Sequence, residues 1–584
     1  TIMRRLTEAG NTLVVVEHDP QVMLAANRLI DLGPGSGNEG GQIIFDGNTR
    51  DVLNAKTLTG DYLSGRRRVT RPAPKPVSLN TPRLVIRGAA EHNLRHVDVS
   101  IPLGAFVAIA GVSGSGKSTL VSDILVPALE RTLGKGTTQP GKFDKLEGQI
   151  PKDVIFVDQS PIGRTTRGNP VSYVGSFDSI RKLFSATPMA RYLGLSTGDF
   201  SFNTGNGRCP ACGGSGFEHI EMQFLSDVYL PCPECGGKRY KTSTLEVKIR
   251  LSNDREYSIA DILDMTATEA TELFFQYPSV VSGLQQLCNV GLGYLKLGQP
   301  LTTLSGGERQ RLKLAGTLSE GLSASRRGPG KLFVFDEPTT GLHFDDTATL
   351  VRVLDGLVCL GHSVLVIEHN LDVLNAADWI IELGPDGGHQ GGSVVFEGTP
   401  NELVQKANSF TGLALKDWRD VLEARETSRE SFFNFPPIKR AVLENNAQIV
   451  VQGAREHNLK NISVSIPRNK FTVVTGPSGS GKSTLAFDLI FAEGQRRYLE
   501  SLNAYARSMV QPAPVPDVDS IRGIPPTVAI EQRTSRGGLR STVATTTELL
   551  HFLRLLFVKL GTQYCPDCNL PATPQTRDDI ITAI

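Results

Sequence analysis

Two strings in the chain have the composition of a phosphate cradle. They are Gly111-Val112-Ser113-Gly114-Ser115-Gly116-Lys117-Ser118-Thr119 and Gly476-Pro477-Ser478-Gly479-Ser480-Gly481-Lys482-Ser483-Thr484. Each follows a β-rich apolar run (106–110 and 471–475) and precedes a helical pattern, the context a P-loop requires. The glycines let backbone N–H groups close around phosphates. Lys117 and Lys482 would reach the β- and γ-phosphates, and Ser118 and Ser483 would bind Mg²⁺. A glycine-rich turn with an incidental lysine would need neither the strand before it nor the helix after it. Two further strings complete the chemistry. Ser305-Gly306-Gly307-Glu308 sets a hydroxyl and two unhindered N–H groups before an amphipathic helix, an anion site at a helix N-terminus. The apolar run 332–335 then delivers Asp336 and Glu337 to a strand end, where carboxylates hold Mg²⁺ and orient water.

Taken in this order, these strings resemble the P-loop, signature and Walker B motifs of ATP-binding-cassette ATPases. The resemblance implies an α/β fold: P-loop nucleotide-binding domains with a helical signature subdomain. It makes Gln159 (VIFVDQSP) and Gln532 (TVAIEQRT), each ending an apolar run, the Q-loop glutamines that sense Mg²⁺ and the attacking water. Considered singly, both would be ordinary exposed polar residues. His369, after the VLVIE run, would contact the γ-phosphate, Asp345 holds the D-loop position, and Glu337 would polarise the hydrolytic water while Asp336 binds Mg²⁺. Cassette ATPases work head to tail. The Ser305–Glu308 signature is therefore expected to face a P-loop other than that of Lys117, either that of Lys482 or one outside the sequence.

The elements that must position these groups are set out by internal repeats. Residues 12–47 match 363–398, so His18 corresponds to His369; residues from 88 match those from 453 and run on into the two P-loops. Three modules follow. Residues 1–64 are the C-terminal part of one nucleotide-binding domain, 83–415 a complete one with an insertion at about 185–300, and 447–584 the N-terminal part of a further one. The intervening 65–82 and 416–446 are polar and Pro-containing and read as linkers, with Arg66–Arg68 as a solvated basic run. The terminal half-modules are expected to lack partners for their sheets, and the chain is expected to be a piece of a fused tandem protein or a permuted one.

Composition bounds the rest. A length of 584 residues suits about three or four domains. The net charge of +1 supplies no global basic field, so contact with nucleic acid must come from local patches. No apolar run nears the roughly 18 residues of a membrane span, which argues against fused transport helices. Six of the eight cysteines form Cys-x-x-Cys pairs. Cys209/Cys212 and Cys232/Cys235, each followed by Gly-Gly, are spaced like a zinc ribbon: four thiolates closing around a structural Zn²⁺, with a redox pair as the weaker alternative. Cys565/Cys568 is half of such a site. Lys238, Arg239 and Lys241, after the second knuckle, are candidate DNA contacts, the alternative being a solvated strand end.

The strings 453–507, 530–557 and 157–170, with the zinc-ribbon hairpin, resemble the UvrA family of bacterial excision-repair ATPases. By that resemblance, 83–415 is the second nucleotide-binding domain of such a protein and 447–584 the start of the first. The order is the reverse of the usual one. The resemblance implies ATP, Mg²⁺ and Zn²⁺ as cofactors, a cytoplasmic homodimer, damaged double-stranded DNA as substrate, and a UvrB-like helicase as partner. The protein would be an ATPase component of an excision nuclease and not itself a nuclease. Glu218 and His219 near the start of the hairpin depart from the family's basic pattern and put DNA affinity in doubt. They keep a second reading open, a UvrA-like paralogue that gives drug tolerance by removing DNA-bound compounds without UvrB. A translocation ATPase serving a separate membrane partner is disfavoured by the zinc ribbon and the excision-repair strings.

Overall fold

The computed structural model describes residues 2–72, 74–136, 138–158, 162, 167–220, 228–319, 330–427, 447–500, 515–530, 542–572 and 576–584. The predicted Q-loop residues Gln159 and Gln532 lie outside them. The chain divides into two compact units, Thr1–Glu531 and Gln532–Ile584.

The first unit holds two sheets of one design. In the central cassette the strand order is Ser393–Gly398, Trp379–Gly384, Phe106–Ala110, Ser363–Ile367, Leu332–Asp336, Val154–Val157. All neighbours run parallel except the edge strand Ser393–Gly398. Phe106–Ala110 and Ser363–Ile367 are buried at every position, as expected of parallel strands covered on both faces, and both are apolar apart from Ser363. A three-stranded antiparallel sheet (Val97–Pro102, Arg83–Ala89, Lys145–Gly148) shares the same apolar core.

The second sheet is built from both ends of the chain. Leu13–Val16 pairs in parallel with Phe471–Val474, Phe471–Thr475 pairs in parallel with Arg28–Gly33, and Gln42–Gly47 closes the edge antiparallel. The expectation that the terminal half-modules lack sheet partners is thereby overturned: they supply each other's strands. Matching hydrophobicity explains it. Ile30, Leu32 and Val474 share one core with Val451, Leu485 and Leu489. Among the described residues the composite sheet has four strands against six in the central cassette. Leu13–Val16 is accordingly half-buried throughout, whereas its counterpart Ser363–Ile367, flanked on both sides, is fully buried.

The described residues of the segments between modules also make specific contacts. Arg71 is buried, with Nε 2.6 Å from Asp355 and Nη1 2.6 Å from Asp378, and its guanidinium lies over the Phe106 ring. Lys75 Nζ donates to the Val358 carbonyl. The 65–82 segment is therefore fastened to the central cassette at Arg71 and Lys75, while Arg66, Arg67 and Leu79 stay exposed. Within the basic run, Arg66 donates to the carbonyls of Leu53 and Ala55, and Arg67 pairs with Asp345 at 2.8 Å. Beyond the central cassette, the helix Phe410–Thr427 runs through the first part of the expected second linker.

The second unit contains the helix Leu549–Leu560, whose sequence LLHFLRLLFVKL has no buried residue. No helix among the described residues is long and apolar enough to cross a membrane.

Candidate functional site: two P-loops and a signature helix

Each P-loop leaves a buried strand through a glycine that no other residue could replace. Gly111 has φ +133°, and a Cβ there would sit 2.0 Å from the Leu383 carbonyl oxygen; Gly476 has φ +132° and the same conflict at 1.9 Å with Leu32. The lysines fold over their own loops. Lys117 Nζ donates to the carbonyls of Gly111 and Val112, both at 2.8 Å, and Lys482 Nζ to those of Gly476 and Pro477 at 2.9 and 2.7 Å. Burial pulls Lys482 down to about 8, opposed by Asp346, Glu308 and Asp31. Phosphate oxygens offer both ammonium groups better acceptors than loop carbonyls, so the cradles fit a nucleotide triphosphate. A π-helical turn follows each loop, Thr119–Leu125 and Thr484–Phe491.

Around Lys117 stand the acids of its own cassette. Asp336 ends its strand, and Glu337 follows with φ +46°, a left-handed conformation that re-aims its side chain. Burial, then Glu337, Asp158 and Glu368, push Asp336 up to about 6, as fits a site that awaits a cation. His369 Nε2 lies 3.5 Å from Glu337 Oε1. The buried Glu368 holds this corner: its carboxylate accepts from Thr339 N and Oγ1 on one side and from His369 N and Asn370 N on the other.

The signature faces the other P-loop. Ser478 N donates to Asp346 Oδ2 at 3.0 Å, and Asp346 also pairs with the buried Arg311 of the signature helix Gly306–Ser319 at 3.1 Å. Glu308 is close enough to raise the pKa of Lys482, and its Oε2 accepts from Ser305 N at 2.8 Å. His18, placed by the repeat, lies in this composite site. Its Nδ1 is 3.3 Å from Thr475 Oγ1, and its ring meets that of His343 edge-on. The two sites therefore hold complementary parts. Around Lys117 are the acids and His369; around Lys482 are His18 and the signature.

Comparison with known proteins follows the same lines. UvrABC system protein A of Thermus thermophilus is 53% identical over 406 residues, 69% of this chain and 41% of that protein. The Chlamydia muridarum protein of the same name is 39% identical over 587 residues, 98% of this chain and 31% of that protein. The crystal structure of UvrA2 from Deinococcus radiodurans superposes with a TM-score of 0.63 at 43% identity, covering 69% of this chain and 48% of that one. The chain belongs to the UvrA family. No protein-family profile matches it. The chain spans less than half the length of the curated UvrA relatives it matches.

The zinc-ribbon cysteines of this UvrA-family chain converge. The Sγ atoms of Cys209, Cys212, Cys232 and Cys235 all lie within 4.8 Å of one another. That spacing and donor set fit a closed tetrahedral Zn²⁺ site. Burial works against the Cys212 thiolate, but N–H groups of Gly216 and Gly214 and the neighbouring thiols bring it down to about 7. Between the knuckles, Phe217–Ile220 and Val228–Pro231 pair antiparallel. Cys565 and Cys568 form a knuckle in the second unit and join no larger ligand group among the described residues.

Arg239 corrects the DNA-contact reading. It is 4% exposed, its guanidinium lies over the Phe202 ring, and Nη2 donates to the Gly298 carbonyl. Its φ of +71° turns the side chain inward after the knuckle. Lys238 and Lys241 are exposed.

Sequence reasoning missed Asn93 and Asn458, although both stand in the repeated Glu-His-Asn-Leu string. The Asn93 amide donates to the carbonyls of Gly114 and Gly388 (2.9 and 3.1 Å), and the Asn458 amide to those of Gly479 and Gly37 (2.8 and 3.2 Å). Each thus ties its P-loop to the second glycine-rich loop of the repeat.

Proposed function

We propose that this chain binds ATP at a P-loop–signature interface and serves ATP-dependent recognition of DNA damage in nucleotide excision repair. The observation that carries the reading is the Ser478–Asp346 hydrogen bond, which holds the signature module against the Lys482 P-loop. Nucleotide at that seam would be bound by both modules, and closure would be coupled to its presence. At the Lys117 site, Asp336 and Ser118 would hold Mg²⁺, which supplies charge neutralisation for phosphoryl transfer. Glu337, 3.5 Å from His369, is placed to accept a proton from water, and Lys117 to bind the phosphates.

The family relation supports damaged duplex DNA as substrate, read by shape and deformability rather than base sequence. It also supports a UvrB-like helicase and a second copy of the chain as partners. A Zn²⁺ held by Cys209, Cys212, Cys232 and Cys235 would fix the hairpin, with Lys238 and Lys241 on its exposed side. The three-module division into 1–64, 83–415 and 447–584 is part of the reading. It is supported by the Chlamydia muridarum match, which runs through nearly the whole chain.

The test is binding to a duplex with one bulky lesion and to the same duplex intact, with Mg²⁺-ATP, for the unsubstituted chain and its Lys117→Ala and Lys482→Ala variants. Lesion preference that changes in the lysine variants is expected. Equal, weak binding to both duplexes would sink the repair reading.

A further inference from the structure

We infer that Tyr294 is a positioning residue of the Lys482 site, supplied in trans by the signature module, and that the Lys117 site has no equivalent among the described residues. The inference rests on the ATP reading above. Three contacts define it. The Tyr294 hydroxyl donates to Glu308 Oε1 at 2.5 Å, while the other oxygen of that carboxylate holds Ser305 N. The Tyr294 ring lies so near Gly479 that a Cβ there would meet ring carbons at 2.5 and 2.8 Å. A Cβ on Gly37 would meet Tyr294 Cβ at 2.9 Å. Gly37 and Gly479 are the two residues whose carbonyls Asn458 ties together. Tyr294 therefore sits on the seam between the P-loop and its supporting glycine loop, and reaches from there to the signature.

Among the described residues, no side chain covers the corresponding seam of the other cassette. A Cβ on Gly114 would find only the backbone of Gly387 and Gly388 at 3.5 Å or more, and one on Gly388 would find nothing within 4 Å. The seam glycines have φ of +56° and +74° in the composite cassette and +61° and +78° in the central one, so the backbones match and only the ring differs. A hydroxyl fixed on a carboxylate that orders the signature turn, and a ring fixed on the facing cradle, align the two halves of one site. Any shift of the P-loop on nucleotide binding is passed to Glu308 through a rigid aromatic body.

The experiment measures affinity for a fluorescent ATP analogue with Mg²⁺ in two backgrounds. Lys117→Ala leaves the Lys482 site to be read, and Lys482→Ala leaves the Lys117 site. Tyr294→Ala, which removes both the ring from the seam and the hydroxyl from Glu308, is expected to weaken binding about tenfold or more in the first background, and to leave the second within about twofold. Tyr294→Phe keeps the ring and should recover part of the loss in the first background. Equal loss in both backgrounds, no loss in either, or a Tyr294→Phe variant as weak as Tyr294→Ala would overturn the assignment while the ATP reading stands. If the unsubstituted chain does not bind the analogue at all, the ATP reading falls and takes the assignment with it.

Discussion

His18 and His343 meet edge-on, their ring centroids 5.7 Å apart, although one belongs to the composite cassette and the other to the central one. Both rings are buried. His343 Nδ1 accepts from Asp345 N at 3.3 Å, so its proton is on Nε2, 3.0 Å from Thr59 Oγ1. The junction between the cassettes thus contains two imidazoles that have to stay neutral.

A pH dependence follows. Burial brings His343 down to about 4, against the pull of Asp346 and with the push of Lys482 and Arg67. Between pH 6.5 and about 4 the unfolded chain binds the proton that the folded one refuses, so stability falls as pH drops through that window. A loss of ~1 kcal/mol is expected at pH 5.5 from this residue. Thermal melts at pH 7.5 and 5.5 would show it, and His343→Gln should flatten the slope. An unchanged slope in that variant would rule out His343 as its source.

Arg71→Ala should destabilise the central cassette by about 3 kcal/mol, because it strands the buried carboxylates of Asp355 and Asp378. Asp378 keeps its bonds from Phe106 N and Lys75 N, which limits the damage. Urea unfolding measures this. A loss below ~0.5 kcal/mol would mean the segment is no more than a surface tether.

Metal content separates the two kinds of cysteine pair. Cys209→Ala or Cys232→Ala should abolish bound Zn²⁺ and loosen the hairpin to proteolysis. Cys565→Ala should leave the zinc content of this chain unchanged. Elemental analysis reads both, and zinc retained in Cys232→Ala would refute the four-thiolate site.

Gly476→Ala should abolish nucleotide binding at the Lys482 site without removing any phosphate-contacting side chain. The added Cβ meets the Leu32 carbonyl at 1.9 Å and the backbone angle is foreign to alanine. Titration of the fluorescent analogue in the Lys117→Ala background would detect it; affinity within twofold of the parent would be the contrary result.

The local strings were readable because their chemistry is local. Both P-loops, the signature turn, Asp336-Glu337 and each of the two ribbon Cys-x-x-Cys pairs depend on residues within a few positions of one another. The facing of signature and P-loop was not readable, since Ser478 and Asp346 are 132 residues apart and charge pattern alone leaves two choices. The buried role of Arg71 was not readable either: nothing in a polar, Pro-rich stretch sets one arginine apart, and only the fold brings Asp355 and Asp378 to it. Arg239 misled through a single dihedral angle. Asn93 and Asn458 could have been found, because their string recurs in both modules ahead of both P-loops.

The pairing of Leu13–Val16 with Phe471–Val474 sets an order of events during synthesis. The first strand leaves the ribosome long before its partner is made. At ~5–20 residues per second the wait is roughly half a minute to a minute and a half. The central cassette, whose strands lie wholly between them, can close during that interval. Of the strands this sequence supplies, the early strand's partner Phe471–Val474 is not yet made meanwhile, so the Leu13-Val14-Val15-Val16 run is open to any other strand edge on offer. Slowing elongation between these points would lengthen that exposure, and yield at a given chaperone level would fall with it.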